Sequence, residues 1–226
     1  MDSDPREAVV TRSSLSTQAS FPAAFDVVVL AASLGGPDAL RVVLAALPED
    51  FPAAVLVVQH RRMAAQDVTI ELLRRRARLE VLLARDGDRP RAGTIHVAPA
   101  ARQLWLAPDG TFASHAAAPP GCAADALFAS VAQRFGPRAI GVILSGSNDD
   151  GAAGAVAIKR GGGRVLAQDR QSARCFAMPA AAIATGCVDF IFPPDRIGSA
   201  LVALTMVPGA ADLFKVSLPS WARLTA

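Results

Sequence analysis

One stretch constrains the fold more than any other. Phe25 to Ala32 (FDVVVLAA) is an unbroken apolar, largely β-branched run that ends at Ser33-Leu34 and the turn signal Gly35-Gly36-Pro37. A run of that kind fits a strand covered on both faces, as in a parallel sheet, rather than one that alternates between core and water. The following DALRVVLAAL has apolar residues at Leu40, Val43, Leu44 and Leu47, the spacing of an amphipathic helix, with Pro37 at a favoured first position. Strand, glycine turn and helix then recur. Ala54 to Val58 is a second buried strand and Ala64 to Arg78 an outer helix. Ala123 to Phe135 reads as an amphipathic helix ended by Gly136-Pro137, Ala139 to Leu144 as a buried strand, and Gly151 to Arg160 as a small-residue helix. Arg164 to Gln168, Met178 to Ala184, Val188 to Phe192 and Asp195 to Val207 continue the alternation. The short runs Thr94 to Ala98, Gln103 to Ala107 and Thr111 to His115 break it. The last two flank Pro108-Asp109-Gly110, so an antiparallel hairpin is expected there. The expected fold is α/β, a doubly wound, mostly parallel sheet with helices on both faces and an inserted antiparallel hairpin.

Composition bounds this reading. With 226 residues, 52% hydrophobic and 19% charged, the chain can bury one sizeable core and is not a disordered polymer. The expected organisation is a flexible tail over 1–22, one folded domain over 23–208 and an extension over 209–226. The net charge is +3, and the longest basic run is only Arg74 to Arg76, which reads as a solvated helix face and not a nucleic-acid site. Cys122, Cys175 and Cys187 are an odd number without C-x-x-C spacing, which points to neither a disulfide framework nor a zinc site and fits a reduced compartment. Neither a signal-peptide pattern nor a long apolar span is present, so a cytoplasmic protein without membrane insertion is expected.

Open parallel sheets bind ligands beyond the carboxyl ends of their strands, where the winding reverses. The polar residues at such ends are Ser33, then Gln59 and His60, then Ser145 to Asp150. Together they offer a nucleophile, a general base and an orienting acid. Each has a blander reading. Ser33 could simply cap the next helix, or its turn could cradle a phosphate, although the full G-x-G-x-x-G is absent. A lone histidine is more often structural, and His96 and His115, in or beside the hairpin, are given that role. His60 with two aspartates could suggest a metal, but no second histidine stands at ligand spacing. Spacing does not choose between Asp149 and Asp150.

The motifs Ala32-Ser33-Leu34-Gly35-Gly36, Gln59-His60, Ile95-His96-Val97-Ala98-Pro99, Asp125-Ala126-Leu127-Phe128, Gly141 to Gly146 (GVILSG), Asp150-Gly151-Ala152-Ala153-Gly154 and Met178-Pro179 occur in order between about Phe25 and Val207. In this register the chain resembles the methylesterase domain of the CheB family, the chemotaxis protein-glutamate methylesterases. The resemblance implies Ser33 as nucleophile, His60 as base and Asp150, the aspartate before Gly-Ala-Ala-Gly, as the third member. It implies backbone oxyanion donors at Leu34 and Ser147, no cofactor, and hydrolysis of glutamyl methyl esters on the cytoplasmic helices of chemoreceptors, with glutamine deamidation as a second activity. A monomer is expected. The Ser, His, Asp order differs from that of α/β-hydrolases, and Ala31 breaks their G-x-S-x-G turn.

There are departures from the family pattern. Leu34 stands where Thr or Ala is usual, Arg61 and Arg62 replace Met-Pro after the histidine, Ser147 stands in place of a common Met, and Gly121-Cys122-Ala123 replaces Arg-Pro-Ser. Arg61 and Arg62 are expected to bind an acidic substrate. The stretch before the domain is too short for the receiver domain and linker usual in the family, so control by receiver phosphorylation within this chain is not expected. Two alternatives stand beside the methylesterase: a related serine esterase with another substrate, and a non-catalytic binding module of the same fold.

Overall fold

A computed structural model describes residues 23–61, 68–116, 123–213 and 217–223. The expected tail over 1–22, the start of the helix expected at Ala64, Arg62 and Gly121-Cys122 lie outside the described residues.

Seven strands form one parallel sheet: β1 (Val27–Ala32), β2 (Ala54–Gln59), β3 (Glu80–Leu83), β4 (Thr94–Val97), β7 (Ala139–Ile143), β8 (Arg164–Gln168) and β9 (Phe190–Phe192), in the spatial order β3-β4-β2-β1-β7-β8-β9. Every neighbouring pair in it is parallel. Between β4 and β7 the chain makes the separate antiparallel hairpin of β5 (Arg102–Leu106) and β6 (Phe112–Ala116), with Leu106 opposite Phe112 across the Pro108-Asp109-Gly110 turn. The helices are α1 (Gly36–Ala45), α2 (Val68–Arg74), α3 (Ala123–Phe135), α4 (Ala152–Arg160), α5 (Ala177–Ala184), α6 (Pro194–Met206) and the short α7 (Ala210–Leu213).

Residues of β1 alternate between two cores, as the two-residue period of a strand requires. Val28, Leu30 and Ala32 pack with Leu40, Val43 and Leu44 of α1 and Ile197, Leu201 and Leu204 of α6. Val27, Val29 and Ala31 pack on the other face with Leu127, Phe128 and Val131 of α3, Ile158 of α4 and Leu104, Leu106 and Phe112 of the hairpin. All six β1 residues are fully buried. At roughly 1.5–3 kcal/mol per fully buried aliphatic side chain, this three-layer arrangement is what holds the central strands in place.

The chain begins in the middle of the sheet, fills one side with β2, β4 and β3, then crosses to β7, β8 and β9 on the other. The winding therefore reverses between β1 and β7, and a crevice opens at their carboxyl ends.

The main departures from the sequence reading are at the edges. Glu80–Leu83 is an edge strand that the reading does not include, and Thr94–Val97 belongs to the parallel sheet. His96 thus sits in β4, 3% exposed, where its Nε2 accepts the Arg91 N–H at 3.1 Å and its ring lies 5.2 Å from that of Phe112 in the hairpin. Burial, and next the Arg91 charge, lower its pKa below the usual 6.5. Among the described residues no helix is long and apolar enough to cross a membrane.

Candidate active site

Ser33 follows the last residue of β1. Its N–H donates to the Ser145 carbonyl at 2.9 Å and its carbonyl accepts from Gly36 N–H at 2.8 Å, closing a tight turn into α1. The turn needs glycine for two reasons. Gly35 has φ 79°, the left-handed region that favours glycine, and a Cβ there would lie 2.7 Å from Ser145 Oγ. Gly146, in the loop after β7, passes so near that a Cβ on it would lie 2.9 Å from Ser33 Cβ and 1.9 Å from the sulfur of buried Met178.

Buried Ser145 pins the two loops together. Its hydroxyl donates to the Leu34 carbonyl at 2.7 Å and accepts from Cys175 N–H at 2.9 Å, while its own N–H donates to Gln168 Oε1 at 2.8 Å. Sequence reasoning notes Ser145 only as a residue of the loop. Its task is to fix the Ser33-Leu34-Gly35 backbone.

His60 follows β2, one strand over from Ser33, and its N–H donates to the Ala32 carbonyl at 2.9 Å. Its Nε2 lies 2.6 Å from Asp150 Oδ2; the His60 side chain is 17% exposed and that of Asp150 fully buried. A carboxylate only accepts, so Nε2 carries the proton and Nδ1 is the nitrogen left with a lone pair. Asp149 is exposed, and its carbonyl accepts from Ala152 N–H at 3.1 Å.

Asp150 is held by the start of a helix. Oδ2 also accepts Ala124 N–H at 2.8 Å and Oδ1 accepts Asp125 N–H at 3.0 Å, both from the first turn of α3, where unpaired amides and the helix dipole favour negative charge. Asp125 returns the arrangement to α4: its Oδ1 accepts Gly151 N–H at 2.9 Å and Gly154 N–H at 2.6 Å. Two carboxylates thus exchange helix N-termini. Burial raises the Asp125 carboxyl above its usual range; the hydrogen bonds from Gly154 and Gly151 oppose that, and the charge on Asp150 adds to it. The Asp125-Ala126-Leu127-Phe128 motif contains this residue without revealing its task.

Asp125→Ala is expected to leave two amides at the start of α4 without their acceptor and to loosen the loop that carries Asp150. At about 1–3 kcal/mol for each buried donor left unsatisfied, thermal unfolding should show a loss of roughly 2–6 kcal/mol, and Asp125→Asn, which keeps an acceptor, a smaller one. Equal stability of Asp125→Ala and wild type would show that these bonds carry no weight.

Ser33, Leu34, Gly35 and His60 line one cleft of about 690 Å³ together with Gln59 and Ser147. Pro37, Asp38 and Arg174 complete its wall. Leu34 is 53% exposed there. Arg61 is not among the lining residues; its guanidinium donates to the carbonyls of Gln59 at 3.2 Å and Ala98 at 2.9 Å. The basic residue in the wall is Arg174, from the loop between β8 and α5, and sequence reasoning missed it. Among the described residues no group of three or more His, Cys, Asp or Glu side chains is arranged to hold a metal.

A family model described as CheB methylesterase matches residues 28–201. The chain is 41% identical, over 191 residues, to a protein-glutamate methylesterase/protein-glutamine glutaminase of Moorella thermoacetica, a match covering 81% of this chain and 45% of that protein. It is 36% identical to the protein-glutamate methylesterase FrzG of Myxococcus xanthus over 190 residues, 82% of this chain and 56% of that one. The chain spans about half the length of the curated relatives it matches. The crystal structure of the Thermotoga maritima CheB methylesterase catalytic domain superposes with a TM-score of 0.75 at 31% identity, covering 80% of this chain and 98% of that one. With the matched model extending over most of its described residues, the chain belongs to the CheB methylesterase family.

Proposed function

We propose that this chain is a protein-glutamate methylesterase in which Ser33, His60 and Asp150 act as a catalytic triad. The observation that carries the reading is the 2.6 Å His60–Asp150 pair opening into the same cleft as Ser33, at the point where the sheet reverses its winding. His60 Nδ1 takes the Ser33 proton as Oγ attacks the ester carbonyl. The N–H groups of Leu34 and Ser147 stabilise the oxyanion, His60 returns the proton to the departing methoxide, and methanol leaves. Water, activated by the same histidine, then cleaves the acyl-enzyme to release the glutamate carboxylate and restore Ser33. With glutamine in place of the ester, ammonia leaves by the same route. No step requires a cofactor.

The proposed substrate is the cytoplasmic helical region of methylated chemoreceptors, met by a cytoplasmic monomer. Arg61 and Arg62 follow the base directly, and positive charge there suits such an acidic surface even while the Arg61 guanidinium is bound to two carbonyls. The test is methanol release from methylated receptor membranes beside hydrolysis of a small generic ester. Receptor demethylation at a far higher second-order rate is the expected result. Turnover confined to the generic ester would favour a serine esterase with another substrate, a reading that exposed Leu34 in the cleft wall keeps in view.

A further inference from the structure

Arg174 occupies an unusual position for a surface arginine. Its stem lies directly on the nucleophile turn: a Cβ built on Gly35 would come within 2.6 Å of Arg174 Cβ and 3.2 Å of its Cδ. The residue is exposed and lines the cleft that holds Ser33 and His60. Its guanidinium has no hydrogen-bond or ion-pair partner among the described residues, Asp38 in the same wall included. Other arginines of this region are committed elsewhere, Arg170 over the Phe176 ring at 4.5 Å and Arg61 to backbone carbonyls.

The backbone beside Arg174 is fixed as well. Cys175 N–H donates to Ser145 Oγ, and the Cys175 carbonyl accepts Gly146 N–H at 2.9 Å. The cation is therefore carried on a loop that is locked to the same elements as the nucleophile. A guanidinium carried on so fixed a backbone, with its fork of donors unused, suits a carboxylate, which it can grip through two parallel hydrogen bonds.

We propose that Arg174 is a carboxylate-binding subsite that selects glutamyl esters with an Asp or Glu within one helical turn of the reacting residue. The inference rests on the methylesterase reading of the cleft. Neighbours three or four apart on a helix stand about 5–6 Å from each other, a separation that an arginine rooted beside Gly35 can span while the ester lies over Ser33.

The experiment is a double-mutant cycle on designed helical peptides that carry one glutamyl methyl ester and either Glu or Gln four residues away. Changing the flanking Glu to Gln is expected to lower kcat/KM of the wild type about five- to tenfold, chiefly through KM, and that of Arg174→Gln less than about twofold. Arg174→Lys, a point charge without the fork, should fall between them. Equal sensitivity of wild type and Arg174→Gln to the flanking residue would overturn the subsite, as would a loss in Arg174→Gln that is the same on both peptides. The same cycle is run on peptide binding to the Ser33→Ala protein by fluorescence anisotropy. If the wild type cleaves neither peptide yet cleaves a simple ester, the methylesterase reading fails, and the binding cycle still decides the subsite: coupling supports it and its absence overturns it.

Discussion

Ser33→Ala and His60→Ala are each expected to lower ester turnover by about 10⁴- to 10⁶-fold while leaving the fold intact, and the double variant should be little worse than either one. In the proposed triad nucleophile and base act as a unit, so losing either would remove the covalent route and leave only the acceleration from binding and oxyanion contacts. The fold should tolerate both changes for identifiable reasons. The Ser33 hydroxyl holds no hydrogen bond among the described residues, and the Ser33 atom that Gly146 passes closely is the Cβ, which alanine keeps. His60→Ala takes one partner from the buried Asp150, but two backbone N–H groups of α3 remain on that carboxylate. Circular dichroism and thermal unfolding would check the fold, and a methanol-release assay the chemistry. Wild-type turnover in either variant would end the triad reading.

The central strands were legible because their signal is local. Val27 to Ala32 and Val165 to Ala167 are short apolar runs bounded by turn signals, which suit a buried strand, and Ala123 to Phe135 carries a full helical stripe ended by Gly136-Pro137. β3 carries no such signal. Leu79-Glu80-Val81-Leu82-Leu83 follows α2 and the arginines Arg74 to Arg76 and would suit a further turn of helix; what makes it a strand is its register with β4, Glu80 beside Thr94 through Leu83 beside Val97. β4 in turn is only four residues long and lies close to the hairpin in sequence, so its place beside β2 is a fact of pairing and not of pattern.

The site divides in the same way. Ser33, His60 and the Asp149-Asp150 pair could be found because each follows a strong strand and the carboxyl-end rule applies to all of them. Arg174, Ser145 and Asp125 could not be given tasks from the sequence. Arg174 reaches the cleft only because the loop after β8 folds over Gly35, and Asp125 matters only because α3 and α4 present their N-termini to each other's carboxylates. Such tasks arise from tertiary contacts between segments 23 or more residues apart.

Asp150→Asn is expected to lower kcat/KM by roughly 10³- to 10⁴-fold, and Asp149→Asn by less than about twofold. The reason is a count of donors. Asp150 receives three N–H groups, from His60 and Ala124 on Oδ2 and from Asp125 on Oδ1. Asparagine has a single acceptor oxygen, so its NH₂ must face at least one of those donors. If the NH₂ takes the Oδ2 position, it meets His60, whose Nε2 must then give up its proton and accept. The proton moves to Nδ1, the nitrogen that should receive the serine proton, and the base is lost although the ring has not moved. If the NH₂ takes the Oδ1 position instead, it faces the Asp125 N–H, leaves that half-buried donor without its acceptor and strains the loop that carries Asp150. The first outcome costs the reaction its oriented base and leaves the buried Ala124 N–H unpaired; the second keeps the tautomer, because the amide oxygen still accepts from Nε2, but removes the charge that stabilises the imidazolium, so both lower turnover and both lower stability. Asp149 meets none of these conditions, because it is exposed and engages α4 through its backbone carbonyl, which asparagine retains. Comparing kcat/KM of the two variants on the same methyl ester decides the matter: equal losses would move the orienting role away from Asp150, whereas a loss confined to Asp150→Asn is what a histidine held in one tautomer requires.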